Sequence, residues 1–223
     1  MTDDGSRPRR ARGRSKGWLP LGLAIGASTG GPKALLTLVA GLRLPVTAFI
    51  FLVQHIHPKF TRILGRRLAE VSPVPIQEAE DGATIHPGRL YLAPGGRHLV
   101  VERVGPTAYQ TRLTDDPLRQ GVRPSVDTLF ASVAEAFGAR AVGVVLTGMG
   151  RDGLAGARAI KARGGVVLAE SAESCVVYGM PRVLAEAALA DRMVPIDEMA
   201  AAIRQVCLEM AAAPETAPLP ARE

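Results

Sequence analysis

"LGLAIGASTGGPKALLTLVAGL", residues 21–42, decides how the chain is read. Leu21–Gly26 is an apolar run without a charge, the pattern of a strand buried on both faces. Small residues from Ala27 to Gly31 interrupt it, and Pro32-Lys33 then opens a segment in which Leu35, Leu38, Val39 and Leu42 recur at spacings of three and four. That spacing is one face of a helix, and proline is tolerated in a first helical turn. Strand, tight turn and helix make the repeating unit of a parallel α/β sheet.

The same alternation continues outward. "VTAFIFLVQ" (46–54) reads as a second buried strand, and Phe60, Ile63, Leu64, Leu68 and Val71 mark a second amphipathic helix. "GRLYLAPGG" (88–96) reads as a strand and turn, and residues 98–113 as an antiparallel hairpin around Gly105-Pro106. After the loop 115–124, Val126, Leu129, Phe130, Val133 and Phe137 form a helical stripe with Ser125 as its cap. "AVGVVLTG" (141–148) and "VVLAE" (166–170) are further strands separated by a helix, and two more helices follow at about 180–190 and 197–210. The expected fold is α/β: a doubly wound, mostly parallel sheet with helices on both faces and an antiparallel hairpin. Three parts are expected: a basic disordered arm over 1–17, a folded catalytic domain over 18–210 and a flexible tail over 211–223.

The chain has 223 residues, enough for one large core, and a net charge of +6. Arg7, Arg9, Arg10, Arg12, Arg14 and Lys16 against Asp3 and Asp4 put four of those six charges in the arm. Aromatic residues are only 4%, which argues against stacking platforms for nucleic acid. Cys175 and Cys207 fit no metal or redox spacing and read as free thiols. "LPLGLAIGA" after a basic leader resembles a secretory signal, but it is short, broken by proline and glycine, and continuous with the first strand. No stretch approaches the ~20 apolar residues of a membrane span. A soluble, cytoplasmic protein without membrane insertion is expected.

In open α/β sheets, ligands bind beyond the carboxyl ends of the strands. Those ends carry Ser28 and Thr29, then Gln54, His55 and His57, then Gly148-Met149-Gly150 and Asp152. Serine, imidazole and carboxylate are the parts of an activated nucleophile. The glycine-rich corner has two readings. As a phosphate loop it fails at Pro32, which stands where the lysine belongs, and Ser28 spoils the dinucleotide pattern G-x-G-x-x-G; its backbone amides still offer an anion site. As a nucleophile elbow, Gly26-Ala27-Ser28-Thr29-Gly30 matches G-x-S-x-G after a strand. The chain order Ser28, His55, Asp152 is not that of an α/β-hydrolase, where the acid precedes the histidine.

Taken together, "IGASTGGPKAL", "VQHIHPKFT", "LAPGGRHL", "RPSVDTLF", "LTGMGRDG" and "SCVVYGMPR", in this order over residues 25–182, resemble the catalytic domain of CheB-type protein-glutamate methylesterases of bacterial chemotaxis. The resemblance implies hydrolysis of glutamyl methyl esters on the cytoplasmic region of methylated chemoreceptors, with release of methanol, and deamidation of receptor glutamines. It places the nucleophile on Ser28, the histidine on His55 and the aspartate on Asp152, with Thr29 and Met149 lining the site. Oxyanion-binding N–H groups are expected near Met149 and the turn through Thr29 and Gly30. No cofactor and no metal are called for.

Two departures stand out. The family commonly reads His-Met-Pro where this chain has His55-Ile56-His57-Pro58, and strand alternation alone does not separate His55 from His57 as base; the motif register favours His55. The family also carries an N-terminal phosphorylatable receiver domain, for which the arm leaves no room, so a separate response regulator becomes a candidate partner. His86 and His98 read as surface or structural residues, with His98 the nearer to the site, and Asp81, Asp115 and Asp116 as turn residues. Asp127 reads as a helix-dipole acid within the family motif, and Arg123 as either a substrate contact or a surface residue. The rival function is a catalytically silent module that binds a receptor through the same groove.

Overall fold

The computed structural model describes residues 20–45 and 47–212. Among these the chain runs β1 (Leu21–Ala27), α1 (Gly31–Gly41), β2 (Ala48–Gln54), α2 (Pro58–Val71), β3 (Ile76–Glu78), β4 (Leu90–Leu92), β5 (His98–Arg103) and β6 (Tyr109–Thr114). It continues through α3 (Val126–Phe137), β7 (Ala141–Val145), α4 (Leu154–Ala162), β8 (Val166–Glu170), α5 (Met180–Glu186), β9 (Arg192–Val194) and α6 (Ile196–Ala212). Seven strands form one sheet in the order β3-β4-β2-β1-β7-β8-β9, with every pairing parallel. β5 and β6 form a separate antiparallel hairpin.

Alternation within the strands divides the core into two layers. Leu23 and Ile25 of β1, with Ile50 and Leu52 of β2, pack under α1, α2 and α6 through Leu35, Leu38, Leu64, Leu68, Met199 and Ile203. Ala24, Phe51 and Val53 face the other way, toward Leu129, Phe130 and Val133 of α3, Ile160 of α4 and Leu184 of α5. The hairpin joins this second layer through three rings: Tyr109 stacks on Phe137 with centroids 4.5 Å apart, and Phe49 lies 5.0 Å from Tyr109. Such ring pairs each add about 0.5–1.5 kcal/mol beyond area burial.

The winding positions the site. From the centre, β1 steps outward to β2 through α1, whereas β7 steps the opposite way to β8 through α4. Right-handed crossovers in opposite directions place their helices on opposite faces and leave a crevice where the order reverses. That point lies between β1 and β7, so Ser28, the residue after β1, stands at the crevice.

The structure departs from the sequence reading at several edges. In α2 the buried residues are Thr61, Leu64 and Leu68, while Phe60 (55%), Ile63 (50%) and Val71 (43%) are exposed. The helix lies over one edge of the sheet beside α1, and only a narrow arc of it is covered. The three-residue strands β3 and β9 lie at the sheet edges, in stretches the sequence reading left as connections. α5 stops at Glu186 and α6 continues through Ala212. The expectations for the arm at 1–17 and for residues 213–223 fall outside the described residues. Among the described residues no helix is long and apolar enough to cross a membrane.

Candidate active site

Ser28 and His55 come together through sheet register. Ala27 pairs with Gln54, and the His55 N–H donates to the Ala27 carbonyl at 3.0 Å, so the next residue of each strand stands at the same edge. On the other side the Ser28 N–H donates to the Thr147 carbonyl at 3.0 Å. A Cβ added at Gly148 would come within 2.7 Å of Ser28 Cβ, so the loop after β7 reaches the serine only with glycine there. The Ser28 carbonyl accepts the Gly31 N–H at 2.8 Å and Gln54 Nε2 at 2.9 Å. Gln54 Nε2 also donates to the His55 carbonyl at 3.1 Å, so one buried amide ties the two backbones together.

The double glycine has a steric cause. Gly30 has φ 83°, and a Cβ there would lie 2.5 Å from Val176 Cβ; at Gly31 it would collide with Gln54 Oε1. Gly30 caps α1 with no side-chain hydrogen bond, and the first turn holds no acid. The N–H groups of Thr29, Gly30 and Met149 donate to no described residue. Thr29 and Met149 are exposed, the latter at 75%. The Ser28 hydroxyl hydrogen-bonds to no described residue, His55 included.

Asp152 is buried and accepts five hydrogen bonds from other residues and its own loop. Oδ2 takes His55 Nε2 at 2.7 Å and the Val126 N–H at 2.7 Å. Oδ1 takes the Ser125 hydroxyl at 2.8 Å, the Asp127 N–H at 2.9 Å and the Gly153 N–H at 3.1 Å. Burial alone would raise its pKa, but the bonds from His55, from the Asp127 and Val126 N–H groups and from Ser125 hold it below the ordinary carboxylate value. The ionised acid therefore sits on the first turn of α3, where the helix dipole also favours negative charge. Its bond to Nε2 leaves Nδ1 as the free nitrogen of His55.

Asp127 does the reverse service. Its Oδ1 accepts the Gly153 and Gly156 N–H groups at 2.9 and 2.8 Å, at the start of α4, and Gln120 Nε2 binds its Oδ2 at 2.8 Å. Two helices thus exchange carboxylates across their N-termini. Burial and the nearby Asp152 charge raise the Asp127 pKa, with the Gly156 bond opposing.

His57 does not join the group. It is exposed, its Nδ1 accepts the Lys59 N–H at 3.3 Å as the cap of α2, and its ring meets Phe60 edge-on. The strand ends at Gln54, so the two-residue alternation does not reach it. His86 is exposed, while His98 is fully buried behind Ser125. Arg123 is committed to the Asp115 and Asp116 carbonyls at 2.7 and 3.1 Å. Sequence reasoning gave no role to Gln54 or to Glu170, whose buried carboxylate accepts the Thr147 N–H at 2.7 Å and the Ser174 hydroxyl at 3.0 Å. The signal for Glu170 was present: a lone carboxylate at the carboxyl end of an apolar strand.

Comparison with known proteins places the chain in context. The profile described as CheB methylesterase matches residues 23–203. The chain is 48% identical over 183 residues to protein-glutamate methylesterase/protein-glutamine glutaminase 5 of Myxococcus xanthus, covering 82% of this chain and 52% of that protein. It is 44% identical to the second such protein of Nitratidesulfovibrio vulgaris, covering 81% of this chain and 49% of that one. The chain therefore spans about half the length of the curated relatives it matches. The crystal structure of the Thermotoga maritima CheB methylesterase catalytic domain superposes with a TM-score of 0.80 at 37% identity, covering 84% of this chain and 98% of that one.

Proposed function

The chain belongs to the CheB methylesterase family, and on that premise we propose that it is a serine hydrolase of chemoreceptor glutamyl methyl esters. It releases methanol from the cytoplasmic region of a methylated receptor, and ammonia where the substrate is a receptor glutamine. Such a substrate places the enzyme in the cytoplasm. The observation that carries the reading is the 2.7 Å bond from His55 Nε2 to the clamped Asp152, made beside Ser28 at the crevice of the sheet.

The chemistry follows from which nitrogen is free. His55 Nδ1 takes the Ser28 proton as Oγ attacks the ester carbonyl, a contact that closes as substrate settles. Asp152, ionised and held by four donors besides His55, stabilises the imidazolium that forms. The tetrahedral oxyanion takes the open N–H groups of the turn at Thr29 and Gly30, with Met149 across the crevice; each such donor is worth on the order of 10²–10³ in kcat. The imidazolium returns its proton to the departing methoxide, giving methanol and a Ser28 ester. Water, deprotonated by His55, then releases the glutamate carboxylate and restores the serine.

The test is incubation of the chain with a methylated chemoreceptor cytoplasmic fragment, following methanol and the new carboxylates. Turnover supports the hydrolase. Binding of the fragment without methanol release would favour the silent receptor-binding module instead.

A further inference from the structure

His98 opens β5 with no exposed surface, and each of its ring nitrogens meets a group of fixed polarity. Nδ1 lies 3.2 Å from the backbone nitrogen of Ser125, whose N–H can only donate. Nε2 lies 3.3 Å from the Pro117 carbonyl oxygen, which can only accept. A neutral ring carrying its proton on Nε2 satisfies both contacts. An imidazolium would set a second N–H against that of Ser125 and break the support. The charges facing the ring come from the loop at 115–124: Arg123 and Arg119 oppose a positive ring, and Asp116 favours one. Burial, with Arg123 and Arg119 adding to it, lowers the His98 pKa, and the Pro117 bond works against that shift. Neighbouring Arg97 is turned to Asp115 and the Leu113 carbonyl.

Ser125 is the junction. Its hydroxyl donates to Asp152 Oδ1 at 2.8 Å and accepts the Thr128 N–H at 3.4 Å, and the next two N–H groups of the chain complete the clamp on the acid. Three hydrogen bonds therefore lead from His98 through Ser125 and Asp152 to His55. We propose that His98 is a positioning residue: in its neutral form it fixes Ser125, and through Ser125 it aims Asp152 at His55. Its consequence for catalysis rests on the reading of Ser28, His55 and Asp152 given above; its structural part does not.

The test uses the full chain with ¹⁵N-labelled histidines, of which there are four. In the wild type, His98 gives the Nε2–H tautomer, and the His55 Nε2–H proton resonates far downfield because it is held by a carboxylate. His98→Leu removes the acceptor for Ser125, and that proton moves upfield and exchanges with water about tenfold faster, the size of effect expected for a weakened charged hydrogen bond. His98→Asn, whose side-chain carbonyl takes the place of Nδ1, restores both the shift and the exchange rate of the His55 proton. Ser125→Ala cuts the path one bond later and reproduces the His98→Leu spectrum, which keeps the test decisive if His98→Leu does not fold. In methanol release, kcat falls about tenfold in His98→Leu with KM unchanged and recovers in His98→Asn. An Nδ1–H tautomer of His98, or a His55 signal identical in all the folded variants, would overturn the proposal. Absence of methanol release from the wild type would defeat the hydrolase reading alone, and the spectra would still decide the role of His98.

Discussion

Two helices begin at the same edge of the sheet, and their first turns are furnished in opposite ways. At α3 the Ser125 hydroxyl caps the Thr128 N–H, and the Val126 and Asp127 N–H groups are taken by Asp152. At α1 the cap is Gly30, with no side-chain bond and no acid in the first turn. A helix N-terminus attracts negative charge wherever its N–H groups are unmet. In α3 the chain supplies that charge itself and uses the helix to keep an acid ionised. On the proposed mechanism, α1 leaves the same property to the oxyanion that forms during reaction. On that reading the difference teaches that one physical device serves both halves of the candidate site, permanent in α3 and transient in α1.

Emptying the furnished end has the largest effect expected from these two turns. Asp152→Asn replaces a five-fold acceptor by a group with one acceptor and an NH₂, and kcat falls on the order of 10⁴-fold in methanol release. The pH dependence sharpens the point. Because the folded-state pKa of Asp152 is depressed, its stabilising contribution is present above the ordinary carboxylate value and is lost as pH falls through the lower, folded one. Acid unfolding curves of Asp152→Asn are correspondingly shallower than those of the wild type below about pH 4.

Furnishing the open end is the converse. Thr29→Asp brings a carboxylate to the start of α1, where it competes with the oxyanion for the same N–H groups. kcat drops by about 10²-fold, while thermal unfolding shows stability unchanged or raised by about 0.3–1 kcal/mol. A variant that lost activity together with stability would break the comparison. Gln54→Leu sits between the two ends. It removes both donors that tie Ser28 to His55, costs about 1–3 kcal/mol by denaturant unfolding, and lowers kcat about tenfold.

The smallest effect belongs to the thiols. Burial, and for Cys175 also the Glu170 carboxylate, push both Cys175 and Cys207 up to about 12, so neither presents a thiolate near neutrality. Iodoacetamide at pH 7 leaves mass and activity unchanged over the time in which a small-molecule thiol is fully labelled.

Much of this was legible in the sequence because it is local. β1, β2, β7 and β8 are apolar runs buried on both faces, and Ser28, His55 and Asp152 stand just beyond three of them. What stayed hidden depends on distant partners. β3 and β9 are three residues long and too short to show a period. The apolar residues of α2 outnumber those the sheet covers, so the stripe of Phe60, Ile63 and Val71 reads as core and is exposed. Asp127 as the acceptor for α4, Ser125 as a hand on Asp152 and His98 behind it act across 25 to 29 residues of sequence, and only the winding of the sheet brings them together. Between His55 and His57 strand alternation was silent and the motif register favoured His55; the bond to Asp152 is made by His55, through a contact that no spacing rule contains.

The proposed chemistry depends most directly on Ser28. Methanol release from a methylated chemoreceptor cytoplasmic fragment, measured for the wild type and for Ser28→Ala with matched folding by circular dichroism, tests it in one ratio. The account predicts a loss on the order of 10⁴-fold or more with receptor binding retained. A Ser28→Ala rate close to that of the wild type would contradict it.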